Sequence, residues 1–294
     1  MAEKINWFPG HMAKALREAE ENLKLVDLVI ELRDARIPRS SSNPSLLKLL
    51  EEQERIIALT KIDLALPEET KKWLAYLEET SEESCRAALG INAVSGRGKD
   101  KLIKLIHRVR QSVNQKRKQK GLNQRSVRAM VAGVPNSGKS TLINLLAGGG
   151  RAKTGSRPGV TRGQQWIKVG DSIELLDTPG LLWPDITDKE MGYRLAICGS
   201  VNPDVVDREL LACRLLDYLR EKSTQALQQR YGVADRGEHS YDLLAEIGRK
   251  RGCLQSGGRV DRQRAAGIVL QEFQEGKLGR LTLEKAPQQA SQEE

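Results

Sequence analysis

The stretch GVPNSGKST, residues 133–141, constrains this chain more than any other feature. It follows the apolar run VRAMVAG (127–133) and precedes a helix-like run, so it fits G-x-x-x-x-G-K-[ST] in the strand–loop–helix setting that motif needs. Such a loop wraps phosphate with its backbone amides, and Gly133 and Gly138 let the backbone bend that closely. Lys139 is placed to neutralise the β- and γ-phosphates and Ser140 to offer its hydroxyl to magnesium. Asn136, Ser137, Gly138 and Thr141 complete the expected cradle, and the following helix points its positive end at it.

Two further motifs belong with this loop. DTPG (177–180) ends the run SIELLD (172–177). Asp177 at such a strand end is expected to hold magnesium, directly or through water, and Gly180 to give its amide to a γ-phosphate. Between them, PGVTRG (158–163) supplies Thr161 as a further magnesium oxygen in the triphosphate state. The Gly/Ser-rich surroundings suit a loop that orders and disorders. An isolated Asp-Thr-Pro-Gly is an ordinary turn; the phosphate loop upstream gives it another meaning.

A guanine-specific site needs a carboxylate that accepts from N1–H and the exocyclic amine, a donor pair adenine lacks. TKID (60–63) provides Asp63 for this after the run RIIALT (55–60), with the stem of Lys61 covering the base and Thr60 beside it. In INAVSGRG (91–98), Asn92 and Ala93 follow the next apolar run, and the Ala93 amide can meet guanine O6. Thr60 stands where Asn is commoner, which predicts modest guanine affinity.

The order of these motifs is unusual. A GTPase ordinarily runs phosphate loop, Thr switch, DxxG, NKxD and then SA. Here TKID and NAVS come first. Rotating the list puts every element in place. The strands predicted at 26–32, 55–60 and 85–92 become the last three of the fold, and those at 127–133, 165–169 and 172–177 the first three. A linker near 110–126 joins the old ends. Helices are expected at 44–53, 67–80, 98–119 and 138–147. The fold class is therefore α/β, a circularly permuted P-loop GTPase domain on a mainly parallel six-stranded sheet, over residues 1–188. Helices expected at 189–198, 206–230, 240–250 and 259–275 make a small all-α domain over 189–285, and the polar 286–294 reads as a disordered tail.

Net charge is +9 over 294 residues, which suggests an anionic partner, nucleic acid first. The cations cluster at Arg249, Lys250, Arg251, Arg259, Arg262 and Arg264, and again at Lys116, Arg117, Lys118, Lys120, Arg125 and Arg128. Each cluster reads either as an RNA-phosphate footprint or as a solvated face. Cys85, Cys198, Cys213 and Cys253 have no metal-ligand spacing and read as reduced packing residues of a cytoplasmic protein. No apolar run is long enough to span a membrane.

WFPGHMAKA (7–15), DARIP (34–38), TKID, GVPNSGKSTLIN (133–144), LLDTPG (175–180) and RGCL (251–254) together resemble the circularly permuted GTPases, and within them the YlqF-like ribosome biogenesis GTPase A family, over nearly the whole chain. The resemblance implies a factor that binds the large ribosomal subunit, its RNA and proteins, late in assembly. It further implies a helical C-terminal domain touching ribosomal RNA; GTP and GDP are the expected ligands, and a monomer is expected away from the ribosome. The residue after DTPG is Leu181, which cannot orient water as the Gln of many GTPases does. His11 leads into the first strand as the helix after DxxG would in an unpermuted fold, and the family's histidine at this place is taken as catalytic. Asn136 resembles GTPases that add potassium to magnesium at the phosphates. The alternative is a nucleotide-gated RNA-binding module with incidental turnover; an ATP-dependent enzyme is disfavoured by Asp63.

Overall fold

The computed structural model describes residues 11–49, 53–80, 85–149, 165–178, 180, 182, 186, 188–201, 206–234, 237 and 239–287, with side chains of the first helix from residue 17 onward. The described residues of Phe8–Asp185 and Glu284–Glu294 form one compact unit, and those of Ile186–Leu283 the other.

The first unit is built on six strands, β1 (Leu28–Asp34), β2 (Arg55–Thr60), β3 (Cys85–Ile91), β4 (Val127–Gly133), β5 (Gln165–Val169) and β6 (Ile173–Asp177). Their order across the sheet is β3-β2-β1-β4-β6-β5, parallel throughout except for β5, which runs antiparallel to β6 at the edge. Every residue of β1 and β2 is buried, as strands covered on both faces require. On one face Leu28, Ile30, Leu32, Ala129 and Val131 meet Leu102 and Ile106 of α4 (Lys99–Gln119) and Leu142 and Ile143 of α5 (Lys139–Ala147). Burying each such leucine or isoleucine contributes about 1.5–3 kcal/mol. On the other face Ala19 and Leu23 of α1 (His11–Leu23) cover Val29, Met130 and Leu176, while Trp73 and Leu77 of α3 (Pro67–Glu79) cover Ile57, Leu59 and Ala88. Helix α2 is described over Pro44–Leu49, and 50–52 of the expected helix lie outside the described residues.

The join between the rotated halves is tighter than the sequence suggests. Helix α4 continues to Gln119, leaving a short link before β4. The Asn114 side chain exchanges two hydrogen bonds of 3.0 Å with the Arg125 backbone. The Arg125 guanidinium grips Asp27, just before β1, at 2.8 and 2.7 Å.

The second unit contains α6 (Lys189–Ile197), α7 (Arg208–Lys222), α8 (Thr224–Tyr231), α9 (Ser240–Lys250) and α10 (Arg262–Gln274). Two expectations need correction. The single helix expected over 206–230 is broken at Ser223, whose φ of −160° and ψ of 60° cannot continue a helix. The helix expected from 259 starts at Arg262. Gly257 and Gly258, at φ 84° and 76°, make a turn closed by a bridge between Leu254 and Val260, and Asp261 then caps α10 by accepting from the Arg264 amide at 2.9 Å. A third difference lies at the C-terminal end. Glu284 rejoins the nucleotide unit, and Ala286 packs beside Trp73 there, because Glu284 finds buried amide donors on the loop after β1. Residues 288–294 lie outside the described residues.

Candidate nucleotide site

The motifs meet at the carboxyl ends of the parallel strands, where open α/β sheets bind ligands. Asp34, Thr60 and Ile91 are register partners at the ends of β1, β2 and β3; Leu32 pairs with Gly133, and Val131 with Asp177.

Gly133 has a φ of 154°, and a Cβ there would lie 2.6 Å from the Leu32 carbonyl oxygen and 2.8 Å from Ser137 Oγ. Asn136 and Gly138 are left-handed at φ 57° and 95°, and α5 begins at Lys139. These turns draw the loop around a concave backbone. The Lys139 ammonium is buried and donates back to the loop carbonyls of Gly133 (3.1 Å) and Val134 (2.8 Å). Burial pulls its pKa down to about 8, with Asp177 opposing and Lys61 reinforcing that shift. Two buried oxygens beside it, Ser137 Oγ and Asp177 Oδ1, have no partner among the described residues. Burial also raises the Asp177 pKa, against the pull of Lys139. Buried polar atoms rarely go without partners unless a ligand supplies them. Ser140 and Asp177 bring hard oxygen donors, which fits magnesium, the cation such GTPase domains use. It would supply charge neutralisation to the phosphates, which Lys139 and the loop amides would bind and orient.

Thr178 and Gly180 of DTPG lie against β4 and this loop. Thr178 Oγ1 donates to the Val131 carbonyl at 2.7 Å. A Cβ on Gly180 would fall 2.6 Å from Pro135 Cα and 2.8 Å from its nitrogen, so only glycine brings the chain this close at residue 180.

At the base end, Asp63 is exposed on a turn in which the Leu64 amide donates to the Lys61 carbonyl at 2.9 Å. Lys61 is left-handed at φ 55°, uncommon for a residue with a long side chain, and its Nζ pairs with Asp34 Oδ2 at 2.9 Å. Thr60 is buried rather than open to a base. Its hydroxyl donates to the Ser137 carbonyl at 2.7 Å and the Arg33 carbonyl at 3.2 Å, so it ties TKID to the phosphate loop. Asn92 is likewise spent on shape: its Oδ1 accepts from the amides of Val94 (2.9 Å) and Ser95 (3.0 Å). Ala93 is partly buried against the α4/α5 core. Thr161 and Leu181 lie outside the described residues, and His11 is described only as the first backbone residue of α1.

Sequence reasoning assigned no role to Asp34 and Arg36 of DARIP. Both are buried, and the Asp34 carboxylate accepts from the Arg36 amide and Nε (3.0 Å each) and Nη2 (2.8 Å) as well as from Lys61. Burial pushes this carboxyl up, but the charges of Arg36 and Lys61 together with the hydrogen bonds hold it well below the usual carboxylate range. Two charged residues in a run that otherwise reads as loop were the available signal.

A family model described as 50S ribosome-binding GTPase matches residues 128–230. Ribosome biogenesis GTPase A of Bacillus pumilus is 44% identical over 281 residues, 96% of this chain and 98% of its own. The chain belongs to the ribosome biogenesis GTPase A family. Mitochondrial ribosome-associated GTPase 1 of Mus musculus is 36% identical, over 95% of this chain and 90% of that one. Among solved structures, GNP-bound YlqF from T. maritima is 27% identical, with a TM-score of 0.66 over 93% of this chain and 98% of its own. As a member of this family, the protein hydrolyses GTP to GDP and phosphate on a circularly permuted G domain and acts in ribosome assembly.

In the second unit the predicted RNA contacts divide. Arg249, Arg259 and Arg262 line one open cleft of ≈ 510 Å³ with Gln255 and Gly258, and Arg264 is exposed on α10. Arg251 instead pairs with Glu272 at 3.1 Å, and Lys250 donates to the Gly232 carbonyl. No helix among the described residues is long and apolar enough to cross a membrane.

Proposed function

We propose that this GTPase binds the large ribosomal subunit late in its maturation, that GTP sets the binding-competent state, and that subunit-stimulated hydrolysis triggers release. The observation that carries this reading is the packing of Gly180 on Pro135. The chain that leaves Gly180 runs directly, as LLWPDITDKE (181–190), into the helical unit. A γ-phosphate held by the Gly180 amide therefore sits beside the covalent start of that segment, which gives the nucleotide a differential contact to act through. Lys139 and the loop amides hold the phosphates, Ser140, Thr161 and Asp177 hold magnesium, and Asp63 and the stem of Lys61 take the guanine. Asn136 completes a potassium site. His11, at the start of α1, positions the attacking water in place of the missing Gln.

RNA phosphates are the partner of the basic faces. Within the linker cluster, Arg125 and Arg128 are engaged by Asp27 (2.7 Å) and Glu174 (3.0 Å), which favours a structural role for both. Lys101, Lys104, Arg108, Lys116, Lys118 and Lys120 instead stay exposed on α4 or just after it. Together with Arg249, Arg259, Arg262 and Arg264 they supply charge for counterion release. The protein works as a cytoplasmic monomer until it meets the subunit.

Co-sedimentation with large subunits tests the scheme. Binding should be strong with a non-hydrolysable GTP analogue, weak with GDP, and fall steeply with salt. Gly180→Ala should remove the difference between the nucleotides, and His11→Ala should lose subunit-stimulated turnover while still binding. Equal binding in both nucleotide states, with turnover indifferent to subunits, would favour an RNA-binding module with incidental hydrolysis.

A further inference from the structure

The loop that follows β1, DARIPRSSS (34–42), is buried almost throughout; Arg39 alone is exposed. Two carboxylates hold it. Asp34 lies at its start and receives Lys61 at 2.9 Å. The other comes from far away in sequence. Glu284 Oε2 accepts from the Arg39 amide at 2.7 Å, and both Glu284 oxygens accept from the Ser40 amide at 3.1 Å. The Ser40 hydroxyl donates to the same group. The Glu284 carbonyl accepts from Trp73 Nε1 at 3.1 Å, which fixes this short return of chain on α3. A carboxylate that collects two consecutive amides and a hydroxyl, itself buried, is a strong and directional anchor.

The two ends of the loop are tied to each other. Ser41 Oγ accepts from the Asp34 amide at 3.0 Å and donates to the Ile37 carbonyl at 2.6 Å, and the Ala35 amide donates to the Thr60 carbonyl at 2.9 Å. The geometry points to Glu284 as a positioning residue for the guanine end of the nucleotide site: it clamps the loop, the loop fixes Asp34, and Asp34 holds the Lys61 side chain where it covers the base. This rests on the reading of Lys61 as a base contact. It gives the helical unit a second covalent route to the nucleotide, through Leu283–Glu284, separate from the DTPG segment. The two routes sense different parts of the ligand. Gly180 lies at the phosphate loop and responds to the γ-phosphate; Glu284 acts through the base, which GTP and GDP share.

The test is a double-mutant cycle in the full chain, read as affinity for GDP and for a non-hydrolysable GTP analogue. Lys61→Ala should weaken both nucleotides. Glu284→Gln keeps the shape, loses the charge, and should weaken both by the same factor, about tenfold given the usual worth of a charge-assisted hydrogen bond. In the Lys61→Ala background Glu284→Gln should have almost no further effect. A general loss of folding would instead add to it. If Lys61→Ala leaves affinity unchanged, the base-contact reading of Lys61 falls, and this inference with it. If Lys61→Ala weakens binding but Glu284→Gln does not, or affects the GTP analogue alone, or adds fully to Lys61→Ala, the inference fails while that reading stands. Should Glu284→Gln not fold, hydrogen exchange on the wild-type chain decides. By reciprocity, GDP should slow exchange of the Arg39 and Ser40 amides, and identical exchange with and without GDP would overturn the proposal.

Discussion

Asp177 in the nucleotide unit and Glu272 in the helical unit are both buried carboxylates, and burial pushes the pKa of each upward. At Asp177 burial wins. Lys139 opposes it, but Oδ1 has no hydrogen-bond partner among the described residues, and the pKa stays raised. At Glu272 burial loses. Arg230 grips both oxygens at 3.0 and 2.6 Å, Arg251 adds 3.2 Å, and the pKa is lowered. The first carboxylate keeps an oxygen that no described residue completes, which fits the magnesium role proposed for it. The second joins α8 and α10 to the end of α9 and is spent on the fold. The same residue chemistry thus marks a site in one unit and a joint in the other, and the difference lies in whether protein donors complete it.

The largest expected effect tests the first half of that contrast. Asp177→Asn should lower GTP turnover by about a hundredfold or more, as loss of a group that orders charge at a reacting phosphate does. It should also raise the melting temperature of the nucleotide-free protein, by about 0.5–1 kcal/mol of stability, because a buried charge without full compensation is removed. A lower melting temperature would mean that Lys139 already compensates Asp177. Next, Glu272→Gln should cost about 2–3 kcal/mol in chemical denaturation, since it leaves two arginines facing a neutral group. Turnover by the isolated enzyme should stay unchanged; a fall would show that the two units are not separable in this way.

The pH dependence sharpens the same comparison. Glu272 has a folded pKa below its ordinary 4.5, so its stabilising contribution is present above that pH and is lost as pH falls through the folded value. Wild type and Glu272→Gln should therefore converge in stability under acid, measured by denaturation at stepped pH. Asp177 has the opposite sign. Its raised pKa penalises the folded state once pH rises past its ordinary 3.8, so the gain in Asp177→Asn should shrink in acid. The smallest effect concerns Cys213. Burial, with Asp217 and Glu209 nearby, pushes its thiol up to about 12. Alkylation of the native protein at pH 8 should leave it unlabelled, and rapid labelling would show that α7 opens to solvent.

Residues whose placement depends on near neighbours were legible. Gly133, Gly138, Lys139, Asp177 and Gly180 sit in short motifs, because a phosphate loop needs particular backbone angles and one ammonium within a few residues of a strand end. The two halves of the sheet were legible for a similar reason: strands buried on both faces carry short apolar runs, and β1, β2 and β4 have them in LVI, IIAL and AMVA, with their charged residues toward the ends or paired inside. Thr60 shows where this stops. Its place in TKID suggested the base, but its hydroxyl faces Ser137, a residue 77 positions away. Arg251 and Arg249, two residues apart, looked alike as RNA contacts until Glu272 claimed one of them. The break at Ser223 was hidden because the residues on either side keep a helical pattern.

The chain's local chemistry by itself determined the strand–loop–helix around GKST, the rotated order of the five nucleotide motifs, and with them a permuted GTPase. Those properties follow from backbone sterics and from hydrophobic period, both of which act over a few residues. Tertiary structure decided which charges are completed by other charges. Asp34 acquires Lys61, Glu272 acquires two arginines, and Glu284 crosses more than two hundred positions to close the loop after β1. Such pairings depend on distance in space after the core has formed, and a linear sequence carries no measure of that distance.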